Sequence, residues 1–313
     1  MSEVKQEVRQ FYDQVGWEQV SEDVYQNARY EDLRPVSHEY IHKCHLRVAQ
    51  HLKPSGRLLL DAGSGPIQYP EYLEYSHDYQ HRVCADISIT AMHEARKRIG
   101  DHGIYVVADV ANLPFKIDAF DGVVSLHTIH HLPEDEHLQA YNELFRVLQP
   151  ECTAVVVNGW PYSRLMRTAN PFIRFANRVR GVVRRLSGKP RLDPNAQDGT
   201  QKKKTSKKKT APKGTFTNRH DVEWVKNEVR SHMPLEILVW RSVSVRFLRS
   251  LIHPRTGGRW ELRMLYWLEE RFPHFFGENG QYPLIVIRKN ENLQQVTHRA
   301  QHQKGSTDPC FEG

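Results

Sequence analysis

The chain lacks any apolar run long enough to cross a membrane. Its 313 residues contain no uninterrupted apolar stretch approaching the roughly 18–20 residues that a span requires. The N-terminal stretch, MSEVKQEVRQFYDQ, has no apolar signal region, so export is not expected. Cysteine is scarce. Cys44, Cys84, Cys152 and Cys310 are scattered, with no close pair. That spacing excludes a disulfide framework and a zinc knuckle, and suits reduced, buried thiols in a cytoplasmic protein. Acidic residues are scarce in one stretch. Residues 164–213 carry 16 Lys+Arg and only two acids, Asp193 and Asp198. That stretch nets +14 against +7 for the whole chain, so the remainder nets −7. The basic balance therefore belongs to one segment, and does not make the chain as a whole a nucleic-acid binder.

Short apolar, β-branched runs fill the first half. RLLLDA (57–62), RVCAD (82–86) and IYVVAD (104–109) each end in an acid, and Val123–Leu126 and Ala154–Val157 follow. A helical run, Ser88–Ile99, separates the second from the third. Glu134–Leu148 separates the last two, with Leu138, Tyr141, Leu144, Phe145 and Leu148 on one face. Buried strands without strict alternation, separated by helices, predict a Rossmann-like, doubly wound α/β sheet. Regularity breaks at Trp160-Pro161. Residues 162–187 read as a basic helix, and 188–214 as a disordered Lys-rich segment. Order resumes at Phe216 with a helical run to His232. A strand-like run, Leu235–Leu248, a helix from Trp260 to about Arg271 and a last strand, Tyr282–Arg288, complete the chain before a polar tail.

The chemistry concentrates in LLLDAGSGPIQYPEYL (58–73). A strand runs into Gly63-Ser64-Gly65, a turn that lets a ligand approach the backbone. A phosphate-gripping dinucleotide loop fits poorly. Gln68 stands where the third glycine belongs, and Pro66 and Pro70 remove N–H donors. Asp61 would repel a phosphate and suits a positive group, such as an amino acid moiety. Asp86 ends the next strand, 23 residues past Gly63. An acid about 20 residues on commonly accepts from both hydroxyls of a ribose. Ile87 can pack on a purine face. Asp109 can accept from an exocyclic adenine amine, while the Val110 N–H meets a ring nitrogen. The alternative for each acid singly is a turn or helix cap, a task Ser88 could also perform.

A cationic amino-acid end, a ribose and an adenine with no phosphate describe S-adenosylmethionine. At these positions the chain resembles the class I S-adenosylmethionine-dependent methyltransferases of the small-molecule type, related to quinone and sterol methylating enzymes. The resemblance rests on DAGSG (61–65), ADIS (85–88), ADVANLPF (108–115), FDGVVSLHTIHHL (120–132) and ELFRVLQP (143–150). It is strong over about 55–160 and a matter of element order over 216–290. It implies a seven-stranded sheet, mostly parallel with the last strand antiparallel and helices on both faces. It also implies a helical N-terminal cap over 1–54, a cofactor-binding core over 55–161 and the closing part of the sheet over 216–290, while composition marks a basic insertion over 162–215 and a flexible tail over 291–313.

The expected cofactor contacts are Asp61, Gly63, Gly65, Asp86, Ile87, Asp109 and Val110. The cap of the resembling family often contributes a tyrosine, which nominates Tyr12 and Tyr30, with Tyr25 beside them. His127, His130 and His131 follow the fourth strand and are candidates to take a proton from an acceptor. In resembling enzymes the second of such a histidine pair often orients the loop instead. No acid or cysteine completes a metal set with them, so no metal is expected.

Within the insertion, Phe172, Phe175, Ala176, Val179, Val182, Val183 and Leu186 form a helical stripe, with Arg174, Arg178, Arg184 and Arg185 opposite. Two readings follow. The stripe is a lid packed over the substrate pocket, or 164–213 lies on an anionic membrane surface. Nucleic acid is less favoured, because aromatic residues for base stacking are few. The expected function is methyl transfer to a small-molecule or lipid-like acceptor, in the cytoplasm or peripherally at the inner membrane face. The competing readings are a non-catalytic module of this fold that tethers to a membrane or anionic polymer, and an RNA methyltransferase. A dinucleotide-dependent oxidoreductase is disfavoured by Gln68 and the two prolines.

Overall fold

A computed structural model describes residues 2–17, 19–21, 24–25, 31–186 and 215–290. Its centre is a seven-stranded sheet. The strands are β3 (Gly56–Ala62), β4 (Tyr79–Asp86), β5 (Gly103–Val107), β6 (Phe120–Leu126), β7 (Leu148–Val157), β8 (Leu235–Arg241) and β9 (Tyr282–Lys289). A two-stranded antiparallel ribbon, β1 (Gln19–Ser21) and β2 (Val24–Tyr25), precedes them. The order across the sheet is β5-β4-β3-β6-β7-β9-β8. Strands β5 to β7 pair in parallel, and β9 alone runs antiparallel to both its neighbours, β7 and β8. This is the expected doubly wound sheet, with its last strand reversed.

The sheet is buried on both faces, which is why its strands show no polar alternation. Successive residues point to opposite sides. Leu60, Val123, Val156 and Ile285 pack with α4 (His137–Val147) through its buried Ala140, Tyr141 and Leu144. Leu59, Val124, Val155 and Val286 pack with α3 (Ile89–Ile99) through Ala91, Met92 and Ala95. Truncating one of these, such as Leu60→Ala, should cost about 2–5 kcal/mol. Ser88 caps α3 by accepting from the Ala91 N–H at 3.1 Å, and Gly100, with φ +51°, ends it.

The N-terminal cap is α1 (Glu3–Phe11), a π-turn (Tyr12–Gly16) and α2 (His38–Leu46). A buried polar network fastens α2. The Arg47 guanidinium donates to Glu269 (2.9 Å), to Glu270 (2.8 Å) and to the Trp240 carbonyl (2.7 Å). Fully buried Glu269 also accepts from the Tyr40 hydroxyl at 2.7 Å.

After β7 comes α5 (Arg164–Leu186), started by the Ser163 hydroxyl, which accepts from the Met166 N–H at 3.1 Å. Residues 187–214 and 291–313, expected to be disordered, and Cys310 with them, lie outside the described residues. The other three cysteines are buried and unpaired. The helical run expected over 216–232 is shorter, comprising α6 (Val222–Trp224), a second π-turn (Val225–Val229) and α7 (Arg230–His232).

The strand-like run expected over 235–248 ends early, at Arg241. Ser244 caps a new helix there, α8 (Val245–Leu251), accepting from the Phe247 N–H at 3.2 Å. Phe247 and Leu248 are helix-face residues whose β propensity mimics a strand. Helix α9 (Gly258–Arg271) stands where expected. A further helix, α10 (Pro273–Asn279), was not foreseen. It presses its Gly277 onto the β8 backbone, where a Cβ would come within 2.5 Å of the Leu238 carbonyl.

Candidate functional site

The carboxyl ends of β3 to β6 open into one cavity of about 470 Å³. That is the place and size expected of a ligand site in such a sheet. Asp61, Gly63, Gly65, Asp86, Ile87, Asp109, Val110, Tyr12, His127, His130 and His131 all line it. Tyr30 falls outside the described residues, so the structure places eleven of the twelve nominated positions around one space.

The glycine loop is built by its neighbours. Gly63 has φ +77° and Gly65 +54°, conformations that favour glycine. The Gly63 N–H donates to the Ala85 carbonyl at 2.7 Å, pinning the loop to the end of β4. Space matters as much as torsion. A Cβ on Gly63 would meet the Thr128 hydroxyl at 2.1 Å, and one on Gly65 the Trp17 indole at 2.9 Å. Ile67 also sits at positive φ (+55°) with its side chain fully buried, so packing holds a strained residue in the loop.

The three strand-end acids differ in how they are held. Asp61 is buried and does not face a ligand with an uncompensated charge. Its Oδ2 takes both Nε (3.1 Å) and Nη2 of the buried Arg82, which also donates to the Tyr72 carbonyl. Asp86 accepts from the Gly65 N–H at 3.0 Å and the Ser88 N–H at 2.8 Å. Burial nevertheless pushes its carboxyl up to about 6, with those two N–H bonds opposing the rise. Asp109 accepts from the Ala111 N–H at 3.0 Å through Oδ1, and its Oδ2 pairs with Lys5 of α1. Lys5 also pairs with Glu136, so the cap helix is tied across the adenine end of the expected site. Asp13, in the π-turn that follows α1, accepts from the Ser88 hydroxyl at 2.5 Å.

The histidines separate into two kinds. His131 uses both ring nitrogens: one donates to the Phe216 carbonyl and the other accepts from the Tyr12 hydroxyl, each at 2.8 Å. It joins the cap, the β6 loop and the 215–220 segment, and in this arrangement has no nitrogen left to take a proton from an acceptor. His130 donates from Nδ1 to the Asn158 side-chain carbonyl at 3.3 Å. His127 has φ +56° and packs edge-on against Trp240 and Tyr282, with ring centroids 5.0 and 5.8 Å away. Burial, with the charge of Arg241 next, lowers His127 to about 3. Burial also lowers His131 to about 4 and His130 well below its ordinary value. All three are neutral imidazoles of low basicity.

Several lining residues were not foreseen. Lys5, Trp17 and Thr128 line the cavity beside Asp109, Gly65 and Gly63 respectively. Arg219, Trp240, Arg241 and Tyr282 line it as well. Arg241 is paired with Glu31 and lies over the Trp240 and Tyr282 rings at 5.1 and 4.7 Å. Trp17 stands close to the nominated Tyr12, and Thr128 lies between the nominated His127 and His130. The others come from segments whose approach is purely tertiary. The apolar stripe of α5 does not roof the cavity. No described residue of that helix lines it, and Phe172, Phe175, Val179, Val182 and Leu186 face outward, which removes the lid reading for α5. Among the described residues no group of three His, Cys, Asp or Glu could hold a metal ion.

Residues 60–156 match a family model described as a methyltransferase domain. With the strand order above, the chain carries a methyltransferase domain of the S-adenosylmethionine-dependent class I type. The cofactor of that class fits the residues present: an acid for ribose hydroxyls, an acid with an adjacent N–H for adenine, and glycines allowing close approach. The chain is 29% identical over 134 residues to a tRNA (carboxymethyluridine(34)-5-O)-methyltransferase of Arabidopsis thaliana, covering 37% of this chain and 31% of that protein. It is 31% identical over 124 residues to a probable tRNA methyltransferase 9B of Homo sapiens, covering 39% and 26%. The chain thus spans less than a third of these relatives' length. Among solved structures, geranyl diphosphate C-methyltransferase from Streptomyces coelicolor A3(2) superposes with a TM-score of 0.49 at 14% identity, covering 92% of this chain and 98% of that one.

Proposed function

We propose that this chain is an S-adenosylmethionine-dependent methyltransferase acting on a small-molecule or lipid-like acceptor. The observation that carries the reading is the make-up of one cavity: Asp86, Asp109 and the glycine loop line it together with the side chains of Trp240, Tyr282, Tyr69, Tyr72 and Arg219. When bound, the cofactor supplies an electrophilic methyl group on a sulfonium. Asp86 and Asp109 would hold its ribose and adenine, and the Gly63–Gly65 backbone its methionine end. Trp17 and Tyr12, stacked at 5.0 Å, close over the loop and keep water from the transfer path. The chain's task is alignment and desolvation.

The low basicity of His127 and His130 favours an acceptor that brings its own nucleophilic atom, such as an amine, a thiolate, a stabilised carbanion or a carboxylate. The proposed location is the cytoplasm, or the periphery of the inner membrane face. A cell extract incubated with methyl-labelled cofactor and the purified protein tests the reading. Label should enter the lipid or small-molecule fraction. The names of the curated relatives favour a second acceptor, RNA, and label in the RNA fraction would replace the first. Cofactor binding without any transfer would favour the non-catalytic tether.

A further inference from the structure

We propose that α5 and α9 together form a face that lies on an anionic lipid bilayer. This goes beyond the methyl-transfer reading and does not depend on it. Among the described residues, every exposed aromatic side chain lies in 162–186 or 260–275. On α5, Phe172 and Phe175 are 67% and 69% exposed, and Val179, Val182 and Leu186 continue the row at successive turns. At 1.5 Å per residue the row is about 21 Å long. On α9, Trp260 and Trp267 are 67% and 62% exposed, with Met264 between them on the same face.

Both helices pack on the same satellite core. Met166 of α5 and Leu265 and Tyr266 of α9 pack on one satellite core formed by Val36, Tyr40, Leu248 and Ile252 among others. Each helix is anchored by its opposite side. Ile173 of α5 and Leu262 of α9 are buried, and Arg180 reaches the Arg249 carbonyl at 2.9 Å. The outward rows are therefore held in place by the fold.

Charge selects the occupant. Helix α5 contains seven arginines and no acid. From Val245 to Trp260 the chain holds four arginines and no acid, while α9 itself balances three arginines against three glutamates. An apolar row of aromatic and aliphatic side chains flanked by arginines is the pattern of a helix lying in the headgroup–acyl boundary. Each nearby base adds on the order of 1 kcal/mol toward an anionic leaflet. A single-stranded RNA would reward the aromatics by stacking, but gains nothing from Val179, Val182, Met264 and Leu186. A lipid boundary rewards all of them.

The test is co-sedimentation of the full chain with vesicles of equimolar phosphatidylcholine and phosphatidylglycerol, beside phosphatidylcholine alone, while tryptophan emission is recorded. The expected result is binding to the anionic vesicles, with a blue shift from Trp260 and Trp267. The double variants F172S/F175S and W260S/W267S should each weaken partitioning about tenfold or more. None of these residues lines the cavity, so both variants should keep the parent's far-UV circular dichroism and a urea midpoint close to the parent's, which certify folding. Absence of vesicle binding would overturn the proposal. So would binding that both double variants leave unchanged, since lysines alone would then carry it. Preferential uptake of a tRNA, impaired by the same variants, would assign the face to nucleic acid and overturn it as well.

Discussion

Lys5, in the first turn of the first helix, is ion-paired with Asp109, 104 residues away at the start of the loop after β5. The same ammonium is paired with Glu136 ahead of α4. A single buried cation thus ties the cap to two loops at the carboxyl edge of the sheet. The acid expected to meet the adenine amine is also the acid that docks the cap. Docking of the cap and the proposed adenine contact therefore share one carboxylate.

Replacing Lys5 with Met should loosen the cap. It leaves Asp109 and Glu136 facing each other without their cation. Both are partly open to solvent, so the expected cost is modest, about 1–2 kcal/mol. Amide hydrogen exchange should accelerate across 2–17 while the β3–β7 core stays protected. Lys5→Arg should restore most of the protection. Unchanged exchange in Lys5→Met would show that Val8 and Phe11 hold the helix without the ion pair.

Asp86 should give cofactor binding a pH dependence. Its carboxyl is raised to about 6 because burial disfavours the charged form. In the folded chain its ionisation is thus a cost that develops as pH rises from the ordinary value of 3.8 toward about 6. Ribose hydroxyls donate to the ionised form and lower the carboxyl again. Binding of S-adenosylhomocysteine should therefore weaken as pH falls through about 6, with release of a proton to buffer. Calorimetry in buffers of different ionisation enthalpy detects that proton. Asp86→Asn should lose about tenfold to a hundredfold in affinity and abolish the pH step. A step that survives in Asp86→Asn belongs to another group.

The readable part of this protein was the part written locally. Strand, acid and glycine turn are adjacent in the chain, so the sequence alone puts DAGSG, Asp86 and Asp109 at successive strand ends. The parallel sheet orders those ends by topology. The helix capped by Ser88 was legible for the same reason. Lys5, Thr128, Arg82 and Arg219 were not, because each acquires its role from a residue distant in sequence. The 235–248 run misled because Val245, Phe247 and Leu248 suit a strand as well as a helix, and only the Ser244 cap decides. The stripe on α5 was legible as a helix face. Periodicity says that a face is apolar, not what covers it, so whether it roofed the cavity or faced outward needed the structure.

Arg82 illustrates the cost of a concealed partner. Its guanidinium is fully buried and paired with Asp61. Arg82→Met should strand the Asp61 carboxylate and destabilise the fold by about 3–5 kcal/mol. Pairing it with Asp61→Leu should recover much of that loss, because two apolar groups replace two charges. Urea unfolding of the two single variants and the double variant forms the cycle. If the double variant is as unstable as the sum of the singles, the pair contributes no coupling, and Asp61 is held by other means.

His131 should behave as a tether whose effect is strongest above acid pH. Its folded-state ionisation is lowered from 6.5 to about 4, chiefly by burial, so the native chain resists protonating it. The unfolded chain takes up that proton readily below about 6.5. Stability from this residue is therefore full above about 6.5 and is lost as pH falls toward about 4. His131→Phe removes both the Tyr12 and Phe216 bonds and should cost about 1–2 kcal/mol near neutrality. It should also flatten the acid limb of the stability–pH curve by one proton, because the variant has nothing there to titrate. Urea unfolding across that pH range measures both effects. A variant of full stability that loses methyl transfer by orders of magnitude would instead make His131 a participant in the chemistry, and the ring would then have to release Tyr12 before it could accept a proton.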